Sequence, residues 1–179
     1  MPEIFLLVLA ILLIPFVPGQ LIWVPLVLAV ILPGTYALWR GPLFVPTLRK
    51  TMDTMISLAD IKKGEQVYDL GCGDGRLVFA AASKGARATG YELSIPIFLI
   101  AKFRSFFHRN SSIQFKNFWN QNYSDADILF CYLVPSAMQS FKEKIWSQLK
   151  PGCRVISHSF RIPGVEPVRE EEKVVMYVK

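Results

Sequence analysis

The 179-residue sequence predicts an α/β fold: a seven-stranded, mostly parallel sheet, with a transmembrane helical anchor at the N-terminus. Three observations carry this. Ile4 to Trp39 contains no charged residue. From Glu65 onward, strand-like and helix-like segments alternate, as they do in parallel α/β sheets. The first strand-to-helix turn is rich in glycine, the pattern of a ligand turn at the carboxyl edge of such a sheet.

The apolar run would reach about 54 Å as one helix, against roughly 30 Å of bilayer hydrocarbon. Pro15, Pro18 and Gly19 interrupt it. Leu21 to Trp39 is long enough to cross, and Ile4 to Ile14 makes a second crossing or a partial insertion. Residues 1–40 are therefore read as an anchor of one span or a helical hairpin. A cleaved signal peptide fits poorly, because the start is Met-Pro-Glu and no small-residue cleavage site follows. Arg40, Arg49, Lys50, Lys62 and Lys63 follow Trp39, and nothing basic precedes it, so the rest of the chain is expected to face the cytoplasm.

Residues 41–64 read as a linker and a pre-domain helix. Gly41-Pro-Leu-Phe-Val-Pro46 is extended by its Gly and Pro content. Thr47 is the expected N-cap of a helix with Leu48, Met52, Met55, Ile56 and Ala59 on one face, ended by Gly64.

Residues 65–179 form the main domain. Strands are expected at Gln66–Leu70, Arg87–Tyr91, Ile113–Lys116, Asp127–Leu133, Arg154–Phe160, Val165–Val168 and Val174–Val178. Helices are expected at Gly75–Lys84, Ile97–Arg109 and Ser136–Leu149. Glu170 to Glu172 reads as a solvated turn before the last strand.

The ligand turn reads Asp69-Leu70-Gly71-Cys72-Gly73-Asp74-Gly75-Arg76. Gly71 and Gly73 let the backbone bend and approach a ligand. Asp69 places a carboxylate where an amino group can be bound, and the helix beyond offers N–H groups to a carboxylate. A dinucleotide site would read G-x-G-x-x-G, but Arg76 stands where its third glycine belongs. Glu92, with Leu93 at the end of the second strand, suits a ribose diol. An ammonium-bearing nucleoside fits this set, so the domain is expected to be a Rossmann-like class I S-adenosylmethionine (AdoMet) methyltransferase. Asn117 and Phe118, with Trp119, follow the third strand and would face the adenine; core packing is the competing role of the two aromatic rings. After the fourth strand, Tyr132, Pro135 and Ser136 are candidate walls of the acceptor pocket. The Asn-Pro-Pro-Tyr/Phe motif of amide and base-nitrogen methylation is absent there.

Other residues carry less. His108 and His158 lack metal-like partner spacing, and neither is expected to be catalytic. Cys72, Cys131 and Cys153 are expected as free thiols, and no metal is expected. The net charge of +6 fits anionic lipid beside the anchor better than nucleic acid.

Phe44-Val-Pro-Thr47, Tyr68 to Arg76, Gly90-Tyr-Glu-Leu93, Phe118-Trp119, Val134-Pro-Ser136 and Gly152 to Ser157 with Phe160 together resemble the membrane-anchored protein-lysine methyltransferases. Mitochondrial members of that family modify the adenine nucleotide translocase and the c-subunit of ATP synthase, and the crenarchaeal protein-lysine methyltransferases are similar. Asn117 stands where those relatives carry an acidic residue, Ser94-Ile-Pro96 replaces Asn-Pro-aromatic, and the anchor is longer. The resemblance implies methyl transfer from AdoMet to a lysine of a protein; the anchor and the basic excess add a position near the membrane and membrane lipid as a second partner. A methyltransferase of a lipid, quinone or other small apolar molecule, and a non-catalytic AdoMet-binding membrane protein, are the alternatives.

Overall fold

The computed structural model describes Val24 and residues 48–179, and Leu48 to Lys179 fall in one compact unit. Apart from Val24, the expected anchor Ile4–Trp39 lies outside the described residues, as do the linker and Thr47. Among the described residues no helix is long and apolar enough to cross a membrane.

In chain order the elements are α1 (Arg49–Ala59), β1 (Gln66–Leu70), α2 (Arg76–Ser83), β2 (Arg87–Tyr91), α3 (Ile95–Ser105), β3 (Ser111–Gln114), β4 (Ile128–Cys131), α4 (Pro135–Lys144), β5 (Arg154–His158), β6 (Arg169–Glu171) and β7 (Val174–Val178). Short 3-10 turns lie at Phe118–Asn120 and Trp146–Gln148. The sheet order is β3-β2-β1-β4-β5-β7-β6. β7 runs antiparallel between β5 and β6, and the other pairings are parallel. Strand order reverses between β1 and β4, which makes their carboxyl ends the switch point where ligands bind in such sheets.

Each face of the sheet carries its own core. On one, α1 and α2 cover Val67, Phe130 and Ile156 with Met55, Leu58, Leu77 and Val78. On the other, Met138, Phe141 and Ile145 pack on Leu129, Val155 and Tyr177. β4, central in the sheet, is wholly apolar and buried, as a strand covered on both faces must be. Arg154 pins α1 by donating to the carbonyls of Ala59 and Asp60 at 2.8 and 3.0 Å and pairing with Glu65.

Several boundaries depart from the expected ones. The N-cap position of α1 is Leu48 rather than Thr47, and no side chain caps it. α1 ends at Ala59, because Asp60 takes the left-handed conformation at φ 43°, well before Gly64. Val165–Val168 is not a strand. The sixth strand is Arg169–Glu171, so Glu170 and Glu171 lie on an exposed sheet edge and only Glu172 belongs to the turn. A charged edge strand discourages pairing with other chains, which accounts for a strand made of charged residues where an apolar run is expected. β5 stops at His158, two residues early, because Ser159 adopts φ 69° and donates to Lys173 O at 2.7 Å.

Candidate functional site

The register places the site. Leu70 is level with Tyr91 and with Cys131, and Cys131 is level with Ser157. Gly71, Glu92, Tyr132 and His158 are therefore each one residue beyond the same line across the carboxyl edge. Parallel strands with matched ends bring together residues far apart in sequence.

Asp69 sits just below that line and is 5 % exposed. Among the described residues nothing donates a hydrogen bond to its carboxylate. Burial, then the charges of Glu92 and Asp74, push its pKa up to about 7. A buried acid without a donor is costly unless a cation completes it.

The turn after β1 bends through three glycines, Gly71 at φ 77°, Gly73 at φ 56° and Gly75 at φ 83°. A Cβ on Gly71 would meet nothing within 4 Å, so its open side is free for a ligand. Gly90 differs. A Cβ there would lie 2.6 Å from both Cβ and Sγ of Cys72, so β2 and the turn touch through the absence of a side chain.

Glu92 fastens the turn from the other side. Its Oε2 accepts the Gly73 N–H at 3.0 Å, while Oε1 accepts those of Leu93 and Ser94 at 2.8 and 2.7 Å. A carboxylate has about four acceptor positions. One on Oε2 therefore remains for a hydroxyl donor. The Leu93 side chain is 46 % exposed beside it.

The Asp74 carboxylate is taken up by two arginines. It pairs with Arg76 Nε at 2.9 Å and Nη2 at 3.0 Å, and with Arg104 Nη1 at 2.7 Å. Burial alone would raise its pKa, but the two guanidiniums outweigh burial and hold it below the usual carboxylate range. Its carboxylate joins the turn to α3; toward a ligand it has only its backbone to offer.

Asn117 and Phe118 follow β3, as expected. Asn117 Oδ1 accepts the Trp119 N–H at 3.0 Å, which uses one lone pair and leaves the other. The Phe118 and Trp119 rings are 4.7 Å apart and lean on the core under α4, and the Tyr123 hydroxyl donates to Phe118 O at 2.6 Å. Core packing thus accounts for part of both rings.

Past β4, Tyr132 is half-buried, whereas Pro135 and Ser136 are exposed in the first turn of α4. The Tyr132 ring lies 4.2 Å from that of His158 and 6.4 Å from that of Phe160. His158 Nδ1 is buried without a hydrogen-bond partner, and burial, then the charge of Lys173, lower the His158 pKa, which favours the neutral ring. Sequence reasoning sets His158 aside because it lies in a strand among polar residues and lacks metal-like partner spacing. The shared end of β4 and β5 is the signal that aligns it with Tyr132.

His108 lies elsewhere, stacked on Phe79 at 4.3 Å. Among the described residues no His, Cys, Asp and Glu group is arranged to hold a metal ion. The three cysteines are free and buried, and burial pushes the Cys131 and Cys153 thiols up to about 12.

A family model described as ANTKMT methyltransferase domain matches residues 69–169. A protein-lysine N-methyltransferase of Saccharolobus islandicus is 34% identical over 129 residues, covering 69% of this chain and 80% of that protein. The human lysine N-methyltransferase named for the c-subunit of ATP synthase is 30% identical, over 69% of this chain and 54% of its own length. The mouse adenine nucleotide translocase lysine N-methyltransferase is 31% identical, over 70% of this chain and 56% of its own. The chain thus spans little more than half the length of these mammalian relatives. Among solved structures, an RNA methyltransferase of Salinibacter ruber, bound to S-adenosyl-L-homocysteine, has a TM-score of 0.71 and 30% identity, covering 75% of this chain and 93% of that one. An O-methyltransferase of Thermotoga maritima, 19% identical with a TM-score of 0.56 over 68% of this chain and 48% of that one, shares the fold alone. With the class I sheet, the glycine turn and these matches in hand, the chain belongs to the ANTKMT methyltransferase domain family, whose curated members named here are protein-lysine N-methyltransferases.

Proposed function

We propose that this chain is an AdoMet-dependent methyltransferase of lysine side chains on membrane or membrane-associated proteins. The observation that carries the reading is Asp69, buried with no donor beside the open side of Gly71. A ligand bearing an ammonium would complete that carboxylate, and its ribose hydroxyl would use the acceptor position left on Glu92. AdoMet, when bound, supplies a methyl group on a sulfonium sulfur. Asp69, Leu70, Gly71, Cys72, Gly73, Asp74, Glu92, Leu93, Asn117 and Phe118 are the proposed cofactor-binding residues. Asp74 acts in that set through its backbone and its hold on α3.

The amine nitrogen must arrive deprotonated and in line, so that the N–CH3 bond forms as the S–CH3 bond breaks. No strong base is required if the walls hold the nitrogen at about 3 Å. Desolvation against Tyr132, Pro135 and Ser136 lowers the lysine's pKa and frees its lone pair. The neutral His158 ring beside Tyr132 adds no charge to repel it.

The proposed organisation is an anchor over residues 1–40, a linker and helix over 41–64, and the methyltransferase domain over 65–179. Its support is the uncharged run from Ile4 to Trp39 and the basic residues after it, which favour a cytoplasmic domain. A bilayer would hold the domain near lysines on membrane proteins at high effective concentration.

Mass spectrometry of membrane proteins from cells with and without the gene tests the acceptor. A methyl-lysine that disappears, and returns with the wild type but not with Asp69→Ala, is expected. RNA methylation is the second reading, favoured by the Salinibacter ruber match. An unchanged methyl-lysine profile with loss of a methylated RNA base would support it, and loss of a methylated lipid or quinone would point to a small apolar acceptor.

A further inference from the structure

α3 carries its apolar residues on both sides. It buries Ala101 and packs Phe98 on the core. Yet Leu99, Ile100, Phe103, Phe106 and Phe107 are 58, 55, 65, 77 and 74 % exposed. Their spacing, i, i+1, i+4, i+7 and i+8, puts them along one outward stripe of the helix and the turn after it. Five neighbouring large apolar side chains in water make a patch of the kind that marks an interaction surface.

The charges around the stripe indicate what covers it. From Leu93 to Ser124 the sequence contains no acidic residue. Lys102, Arg109 and Lys116 are exposed in that stretch, and Arg104, held by Asp74, adds to the positive field. An apolar stripe whose own segment carries cations and no acid has the chemistry of an interfacial helix: its rings and aliphatic chains enter the acyl boundary while Lys and Arg reach anionic headgroups. A stripe that only covered a second protein surface would have no need to exclude every acid from 32 consecutive residues. Phenylalanines among cations also suit stacked RNA bases. Leu99 and Ile100, at the N-terminal end of the stripe, offer neither stacking nor hydrogen bonds, which favours lipid.

We propose that the outward face of α3 docks on an anionic bilayer surface. This contact is additional to the N-terminal anchor and rests on that proposed anchor for its proximity to a membrane. Because α3 begins just after Glu92, docking would fix one orientation of the cofactor site relative to the bilayer.

The native cysteines are buried, so an exposed engineered cysteine can be labelled selectively. The full chain carrying Phe107→Cys, or Ser83→Cys on the exposed surface of α2 as control, is labelled with an environment-sensitive dye. Each is reconstituted with vesicles of phosphatidylcholine alone or mixed with phosphatidylglycerol. The expected result is a blue-shifted Phe107→Cys emission, quenched by nitroxide lipid, larger in the anionic vesicles and lost with Lys102→Glu/Arg109→Glu. The control stays water-like. A water-like Phe107→Cys probe on vesicle-bound chain overturns docking while leaving the anchor standing; chain recovered free of vesicles contradicts both. A blue shift without lipid quenching overturns docking in favour of a protein cover, either the chain's own apolar segment or a second copy. A shift produced by single-stranded RNA and not by vesicles assigns the stripe to nucleic acid.

Discussion

Glu92 Oε2 accepts the Gly73 N–H at 3.0 Å, so the end of β2 holds the turn that leaves β1. The acid proposed to bind the ribose therefore also sets the shape of the turn that faces the rest of the cofactor. Glu92→Ala should weaken AdoMet binding at least tenfold by calorimetry, and Glu92→Gln almost as much, because an amide keeps only one acceptor oxygen for three N–H groups. A Glu92→Ala variant that binds AdoMet normally would remove Glu92 from the site.

Asp69 links stability to binding with opposite signs. Its folded pKa, about 7, lies above the ordinary 3.8. Between those values the folded state binds more protons than the unfolded one, so the contribution of Asp69 to stability falls as pH rises through the window. Asp69→Asn should make the cofactor-free chain about 1–2 kcal/mol more stable at pH 8, measured by thermal denaturation, while abolishing AdoMet binding.

The same titration sets the pH dependence of binding. An ammonium is attracted to the ionised carboxylate only, so AdoMet should bind roughly tenfold more weakly at pH 6 than at pH 8. The Glu92 and Asp74 charges act on Asp69 at both pH values and reinforce the shift. Calorimetry across this range, in buffers of different ionisation enthalpy, should also detect proton release on binding. An affinity flat across this range would mean that Asp69 meets no cation.

Two glycines should fail differently. Gly90→Ala forces a Cβ within 2.6 Å of Cys72 and should cost about 1–3 kcal/mol of stability, read from denaturant midpoints. Gly71→Val has open space, so beyond the strain of its positive φ its main effect should be on AdoMet binding. Equal loss of stability in both variants would contradict the assignment of that open side to the cofactor.

Tyr132 and His158 should act on the acceptor alone. Tyr132→Ala and His158→Ala are expected to raise KM for a protein acceptor several-fold with AdoMet affinity unchanged. Unchanged KM in both variants would place the acceptor elsewhere.

The sheet, the glycine turn and the two acids were legible because each depends on local spacing: glycines at a strand end, an acid at the next one. What escaped depended on contacts between distant segments. The Asp74–Arg104 pair joins a turn to a helix thirty positions on, a contact that no local pattern announces. His158 lies in the fifth strand as expected, but its place beside Tyr132 depends on where that strand ends, and nothing local announces the positive φ of Ser159. The edge strand Arg169–Glu171 defied the apolar periodicity because an exposed edge has no core face to bury.

Methyl transfer from AdoMet to a protein lysine is read out by incubating the purified full chain with radiolabelled AdoMet and membranes, then hydrolysing the protein fraction to amino acids. Label should co-migrate with methylated lysine and be absent with Asp69→Ala and with Gly71→Val. Label confined to the organic extract or to RNA, or no label in any fraction, would contradict it.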